Sequence, residues 1–144
     1  VAFDRIKGFR YAPSEMKALI PILPSKDIPA SLEFYARVYG FQQPWAWTRK
    51  TERVTDLAVH DPKDIGYGGL DAPHEIHFWY SDDKHVLESA GLRIETEDIQ
   101  TLYAACQAAN CVHPNAALAT KPWGVKEFGT LDPSGVLVTF FQTL

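Results

Sequence analysis

The sequence predicts an α+β fold in which a βαβββ unit occurs twice, and three observations predict it. Shifted against itself by 71 residues, the chain brings Lys26-Asp27-Ile28 onto Glu97-Asp98-Ile99. The same gapless offset brings Val54-Thr55-Asp56-Leu57, ending at Asp61-Pro62, onto Val125-Lys126-Glu127-Phe128, ending at Asp132-Pro133. Both halves also read in one order: a short apolar strand, a capped helix, then several strand-like segments.

The first half opens with the strand "ALIPILPS", after which Asp27 is placed to cap a helix N-terminus. Leu32, Tyr35 and Tyr39 give that helix an apolar stripe, and Gly40 suits a left-handed stop. Strands are expected at "PWAWTRK", "VTDLAVHD" and "EIHFWY", with the glycine-rich "KDIGYGGLDAPH" as an inserted loop. Residues 81–90 read as a polar connector. In the second half "GLRIETE" is the opening strand, Asp98 the cap and Asn110 the stop. The helical stripe is Leu102, Cys106 and Ala109. A strand near Ala116, then "VKEFGTL" and "VLVTFFQ", complete the unit, the last two joined through a type I turn at Asp132-Pro-Ser-Gly135. The units are bounded at 17–84 and 85–144 and form one compact domain. Residues 1–16 fall outside the repeat as an N-terminal extension or vector remnant.

Composition narrows the function classes. A net charge of −4 without a Lys/Arg cluster argues against nucleic acid. No apolar run reaches the roughly 18 residues a membrane helix needs, and no secretory leader is evident, so the expectation is a cytoplasmic protein without membrane contact. Cys106 and Cys111 read as reduced and structural. Four Trp in 144 residues raise a sharper question, because each indole N–H needs a partner when buried.

"LPSKDIPASLEFYARVYGF" in the first unit and "KPWGVKEFGTLDPSG" in the second resemble the vicinal oxygen chelate superfamily over roughly residues 18–142. That superfamily holds glyoxalase I, extradiol dioxygenases, fosfomycin-modifying enzymes and bleomycin-resistance proteins. The stretch at 122–128 is most similar to the bleomycin-resistance branch. The resemblance implies cupped mixed sheets that close around a ligand. It also implies metal positions in the enzymes, which fall here on Ile20, Gly91, Thr139 and His77, or on Glu75 if the register slips by two. Ile, Gly and Thr are not credible donors for iron or a divalent ion, so no metal and no cofactor is expected. "HEIH" lacks the four-residue helical spacing of a zinc-protease motif.

The expected site is instead a ring-binding surface. Alternation puts Glu75, His77 and Trp79 on one strand face and Trp45 and Trp47 together on another. The resemblance assigns Trp45 and Trp123 to aromatic ligand contacts. Asp56 and Glu127, equivalent under the 71-residue offset, are either paired ligand contacts or solvated edge charges. Arg93 and Glu95 follow Gly91 onto the inner face, and Arg93 is discordant with a cationic drug. The bland alternatives are core packing for Trp45 or Trp47 and a structural hydrogen-bonded role for His77. The expectation is a binding protein that sequesters a flat, partly aromatic small molecule, as in bleomycin resistance, and that pairs as a homodimer. No catalytic residue is assigned. Against it stand a metal-dependent glyoxalase- or dioxygenase-type enzyme using Glu75 and His77, and an accessory protein that binds an unknown metabolite.

Overall fold

A computed structural model of the protein describes residues 13–144, so most of the segment set apart as an extension lies outside the described residues. From β1 (Ile22–Ser25) the chain enters α1 (Ile28–Arg37), whose first turn is fixed by the Asp27 side chain accepting from the Ala30 amide at 3.0 Å. Gly40, at φ +83°, ends the helix. Strands β2 (Gln42–Thr48), β3 (Arg53–Val54), β4 (Ile65–Ala72) and β5 (Ile76–Tyr80) complete the first sheet. Its order is β1-β5-β4-β2-β3, with β1 parallel to β5 and the other pairs antiparallel.

A short helix, α2 (Lys84–Ser89), leads to β6 (Gly91–Glu95) and α3 (Ile99–Ala108), capped by Asp98. β7 (Ala119–Lys121), β8 (Val125–Leu131) and β9 (Leu137–Thr143) follow. The second sheet runs β6-β9-β8-β7, again with its first strand parallel to its last. The two long helices have ten residues each and begin at Ile28 and Ile99, in keeping with the 71-residue offset. Asn110 takes the left-handed φ of +55° expected of it.

The second half of that alignment is corrected. "VTDLAVHD" forms only the two-residue β3, after which Leu57–Val59 and Pro62–Asp64 are single 3-10 turns capped by Asp56 and Asp61. The topological counterpart of β8 is β4, inside the stretch expected to be a loop. Gly69 pairs with His77 as Gly129 pairs with Thr139, so these are the equivalent positions. The reason is steric. A Cβ on Gly68 would stand 2.9 Å from Ile28 Cγ2, and one on Gly69 would stand 2.5 Å from Trp45 Cζ2. β4 is a central strand squeezed by α1 on one side and an indole on the other, and only glycine permits both. Residues 81–90 are also more than a polar connector: Asp83 caps α2, and Leu87 of that helix is buried.

One face of each sheet is packed and the other is open. Ile28, Leu32 and Tyr35 of α1, Leu70 and Phe78 of the first sheet, and Phe128, Val138 and Phe140 of the second share one core. The halves are also joined by polar bonds. Tyr35 Oη donates to Asp132 at 2.8 Å, and the Lys26 amide donates to Ser134 Oγ at 3.0 Å. Thr130 Oγ1 gives its one hydrogen to the Val138 carbonyl, so Tyr39 is the donor in its 2.6 Å bond to Thr130. Burial raises the Asp132 carboxyl above its usual range, against the opposing pull of donors from Val136, Tyr35 and Ser134. Cys106 and Cys111 are free and buried, and burial pushes the Cys106 thiol up to about 12.

Candidate functional site

The open face of the first sheet is lined in rows set by strand register. Trp47, Tyr67 and Trp79 form one row, and Trp45, Gly69 and His77 form the next. Sequence reasoning missed Tyr67, Gly69 and Asp71, because all three lie in the stretch read as a loop. Once that stretch is a strand, their two-residue spacing puts them on the same face as His77.

His77 is engaged at both ring nitrogens. Its Nε2 lies 2.5 Å from Glu75 Oε2, and since a carboxylate only accepts, Nε2 carries the proton. Nδ1 lies 2.7 Å from Tyr67 Oη, so the ring is held from both sides. The result is a hydrogen-bonded chain of Tyr67, His77 and Glu75. Desolvation, helped by the Glu75 charge, raises the Tyr67 phenol above its usual range and keeps it a donor.

The four indoles divide by burial. Trp45 is only 8% exposed, whereas Trp47, Trp79 and Trp123 are 40%, 41% and 63% exposed. Trp45 is not part of the core under α1, which is the alternative its burial suggests. It lies on the open face, with its Nε1 donating to Asp71 at 2.7 Å and its ring meeting His77 edge-on at 4.9 Å. Its burial comes from Gly69 beneath it and the Arg53 guanidinium, 5.5 Å from its centroid.

The open face of the second sheet carries different chemistry. Arg93 lies 4.2 Å over the Phe141 ring and donates to Glu127 at 3.1 Å. Trp123 Nε1 donates to the same Glu127 oxygen at 3.2 Å. Desolvation pushes the Glu127 carboxyl up, but the hydrogen bonds from Arg93 and Trp123 and the charges of Arg93 and Lys121 outweigh it, leaving the group below its ordinary range. Arg93, discordant with a cationic drug when read from the sequence, is therefore already matched by Glu127. Glu95 accepts instead from Thr143 at 2.7 Å.

Eight of the nine expected site residues thus fall on two open faces: Trp45, Trp47, Glu75, His77 and Trp79 on the first, Arg93, Trp123 and Glu127 on the second. Asp56 is the exception. It is exposed and accepts from the Ala58 amide at 3.3 Å as a turn cap, and the strand position equivalent to Glu127 belongs to Tyr67. Among the described residues no hydrogen bond or ring contact joins the two faces. They approach each other at a cleft of about 1020 Å³ between residues 18–21, the turn before β5 and the edge of β6, where Glu75 and Arg93 both reach the surface. No group of three or more His, Cys, Asp or Glu suited to a metal ion occurs among the described residues.

The sequence profile of the glyoxalase/bleomycin resistance protein/dioxygenase superfamily matches residues 18–140. A bleomycin resistance protein of Geobacillus stearothermophilus is 27% identical over 143 residues, covering 87% of this chain and 96% of the relative. Two solved structures share the fold. The bleomycin resistance determinant encoded on transposon Tn5 superposes with a TM-score of 0.63 at 20% identity, over 89% of this chain and 98% of that one. A bleomycin-binding protein complexed with bleomycin gives 0.61 at 19% identity, over 90% and 100%. With paired βαβββ units and a profile match across most of its length, the chain belongs to the glyoxalase/bleomycin resistance protein/dioxygenase superfamily.

Proposed function

We propose that this protein binds and sequesters a flat, partly aromatic small molecule of the bleomycin type, without a metal ion. The observation that carries the reading is the open first face, where Trp47 and Trp79 flank Tyr67 with half-exposed rings beside the fixed His77. Stacking on such rings is worth about 0.5–1.5 kcal/mol per pair beyond the area buried, so several of them hold a planar heterocycle. Relatives named as bleomycin resistance proteins, and a fold neighbour solved with bleomycin, support this ligand class.

The metal positions of the superfamily's enzymes do not fit an ion here. Ile20 and Gly91 offer no donor atoms, and Thr139 pairs with Arg93, whose cation opposes a second one. Both ring nitrogens of His77 are already engaged, Nδ1 with Tyr67 and Nε2 with Glu75. A cup needs two facing walls, and each chain presents its two open faces on separate sheets. In this reading residues 17–84 of one chain face residues 85–144 of a partner in a cytoplasmic homodimer, giving two equivalent sites.

Titration of chelator-treated protein with metal-free bleomycin is expected to quench Trp fluorescence saturably, at micromolar affinity or tighter and one ligand per chain. A flat titration removes the drug assignment. The enzyme reading draws its support from the Glu75–His77 couple, and elemental analysis separates the two. Stoichiometric Zn, Ni, Mn or Fe, lost on His77→Ala, would replace the binding protein with a metalloenzyme.

A further inference from the structure

We propose that Arg53 is a removable cover on Trp45, and that the ligand of this face is a flat cation which takes the place of its guanidinium. The inference rests on the binding role assigned above and names the ligand's charge. Among the described residues every contact found for the Trp45 ring except one is fixed, including the tilted Tyr67 ring at 6.2 Å, whose hydroxyl is bonded to His77. Gly69 lies beneath Trp45, so close that a Cβ there would stand 2.5 Å from the ring. Asp71 holds its Nε1 at 2.7 Å, and His77 meets it edge-on at 4.9 Å while bonded to both Tyr67 and Glu75.

Arg53 is the remaining contact, and it is held differently. It belongs to β3, two residues long and at the sheet edge, and pairs with Trp47, which puts its side chain on the open face. It is exposed, and no hydrogen bond or ion pair of its side chain is found among the described residues. A long side chain with one cation–π contact leaves the ring cheaply. The ring it uncovers is backed by glycine and immobilised at its edge, which suits a stacking platform.

The charge of the replacement follows from what stays behind. With Arg53 swung away, the Asp71 carboxylate stays bonded to the indole edge and Glu75 stays bonded to His77 beside the ring. A planar ring bearing positive charge restores both the cation–π contact and the local balance, whereas a planar anion meets two carboxylates.

The test uses 9-aminoacridine as a planar cation and anthracene-9-carboxylate as a planar anion, titrated into the full-length protein at low salt. The cation is expected to bind more tightly and to shift the Trp45 indole N–H resonance, assigned with Trp45→Phe. Arg53→Ala is expected to tighten cation binding by about two- to fivefold, the scale of one exposed cation–π contact. Arg49→Ala is the control for charge alone, since Arg49 lies 5.2 Å over Tyr80, which alternates away from Trp79. Equal tightening in the two variants, or weaker binding in Arg53→Ala, overturns the proposal. So does a stronger preference for the anion. If bleomycin quenches while Arg53→Ala leaves 9-aminoacridine binding unchanged, the cover is wrong and the binding role stands. If 9-aminoacridine behaves as expected while bleomycin does not bind, the drug assignment falls and the cover stands.

Discussion

Two sheets that share a four-strand order, the first with β3 added at its edge, present two open faces with different chemistry. Tyr67, His77 and Trp79 on the first sheet occupy the places held by Glu127, Thr139 and Phe141 on the second. On the first, a hydrogen-bonded chain fixes an imidazole among rings. On the second, an ion pair lies over one ring and holds a fourth indole by its N–H. Both faces tie a tryptophan to a carboxylate, Trp45 to Asp71 and Trp123 to Glu127. Yet Trp45 is buried and Trp123 is mostly exposed. The difference lies in what stands beneath each ring. A central strand of glycines seats the first indole, while the second sits on the connection between β7 and β8. Equivalent bonds therefore do not make equivalent anchors; support from below does.

The sharpest test of that contrast is removal of the two indoles. Trp45→Ala is expected to cost about 3 kcal/mol in urea unfolding, in the range for loss of a buried large side chain. Trp123→Ala should stay within about 0.5 kcal/mol, as for an exposed position away from special features. Similar losses would break the comparison. The glycines under the faces come next. Gly69→Ala drives a Cβ to 2.5 Å from the Trp45 ring and 2.8 Å from the Ile76 carbonyl, and about 2 kcal/mol of overpacking is expected. Gly129→Ala meets side chains alone, the Ala116 Cβ at 2.9 Å, Leu137 at 3.4 Å and His113 at 3.9 Å, so about 1 kcal/mol is expected there. Chemical denaturation of the pair measures the gap.

Smaller effects probe the charged face. Arg93→Ala removes one partly exposed ion pair and one cation–π contact, for an expected loss of about 0.5–1 kcal/mol. Glu127 adds a pH signature. Its folded carboxyl titrates below its unfolded value, so its contribution is present above the ordinary glutamate pKa, roughly 4.3, and is lost as pH falls through the lower folded value. The Trp123 indole N–H resonance should follow that titration, with a midpoint below the glutamate norm. A midpoint at or above it would mean that Arg93 and Trp123 do not hold the carboxylate.

Much of the fold was legible because it is written in local chemistry. Asp27 and Asp98 cap helices, Gly40 and Asn110 stop them, and Gly135 turns the chain back at φ +87°. The grouping of His77 and Trp79 on one face also follows from alternation along β5. What failed was the third strand, where "VTDLAVHD" looks like a strand and "IGYGGLDA" does not. Strand propensity measures how a side chain suits a pleated surface, and glycine has none to offer. With β4 misread, Tyr67, Asp71 and the seat of Trp45 were invisible.

The sequence by itself determined the repeated unit, its caps and turns, and which residues share a strand face, because these depend on backbone preferences and a two-residue period acting over short spans. Only the tertiary structure decided that glycines form a central strand, that Trp45 is buried while Trp123 is not, and that Arg93 is matched by Glu127. Those outcomes depend on which atoms meet across strands and helices far apart in the chain, and steric fit and charge pairing at such contacts have no local signature.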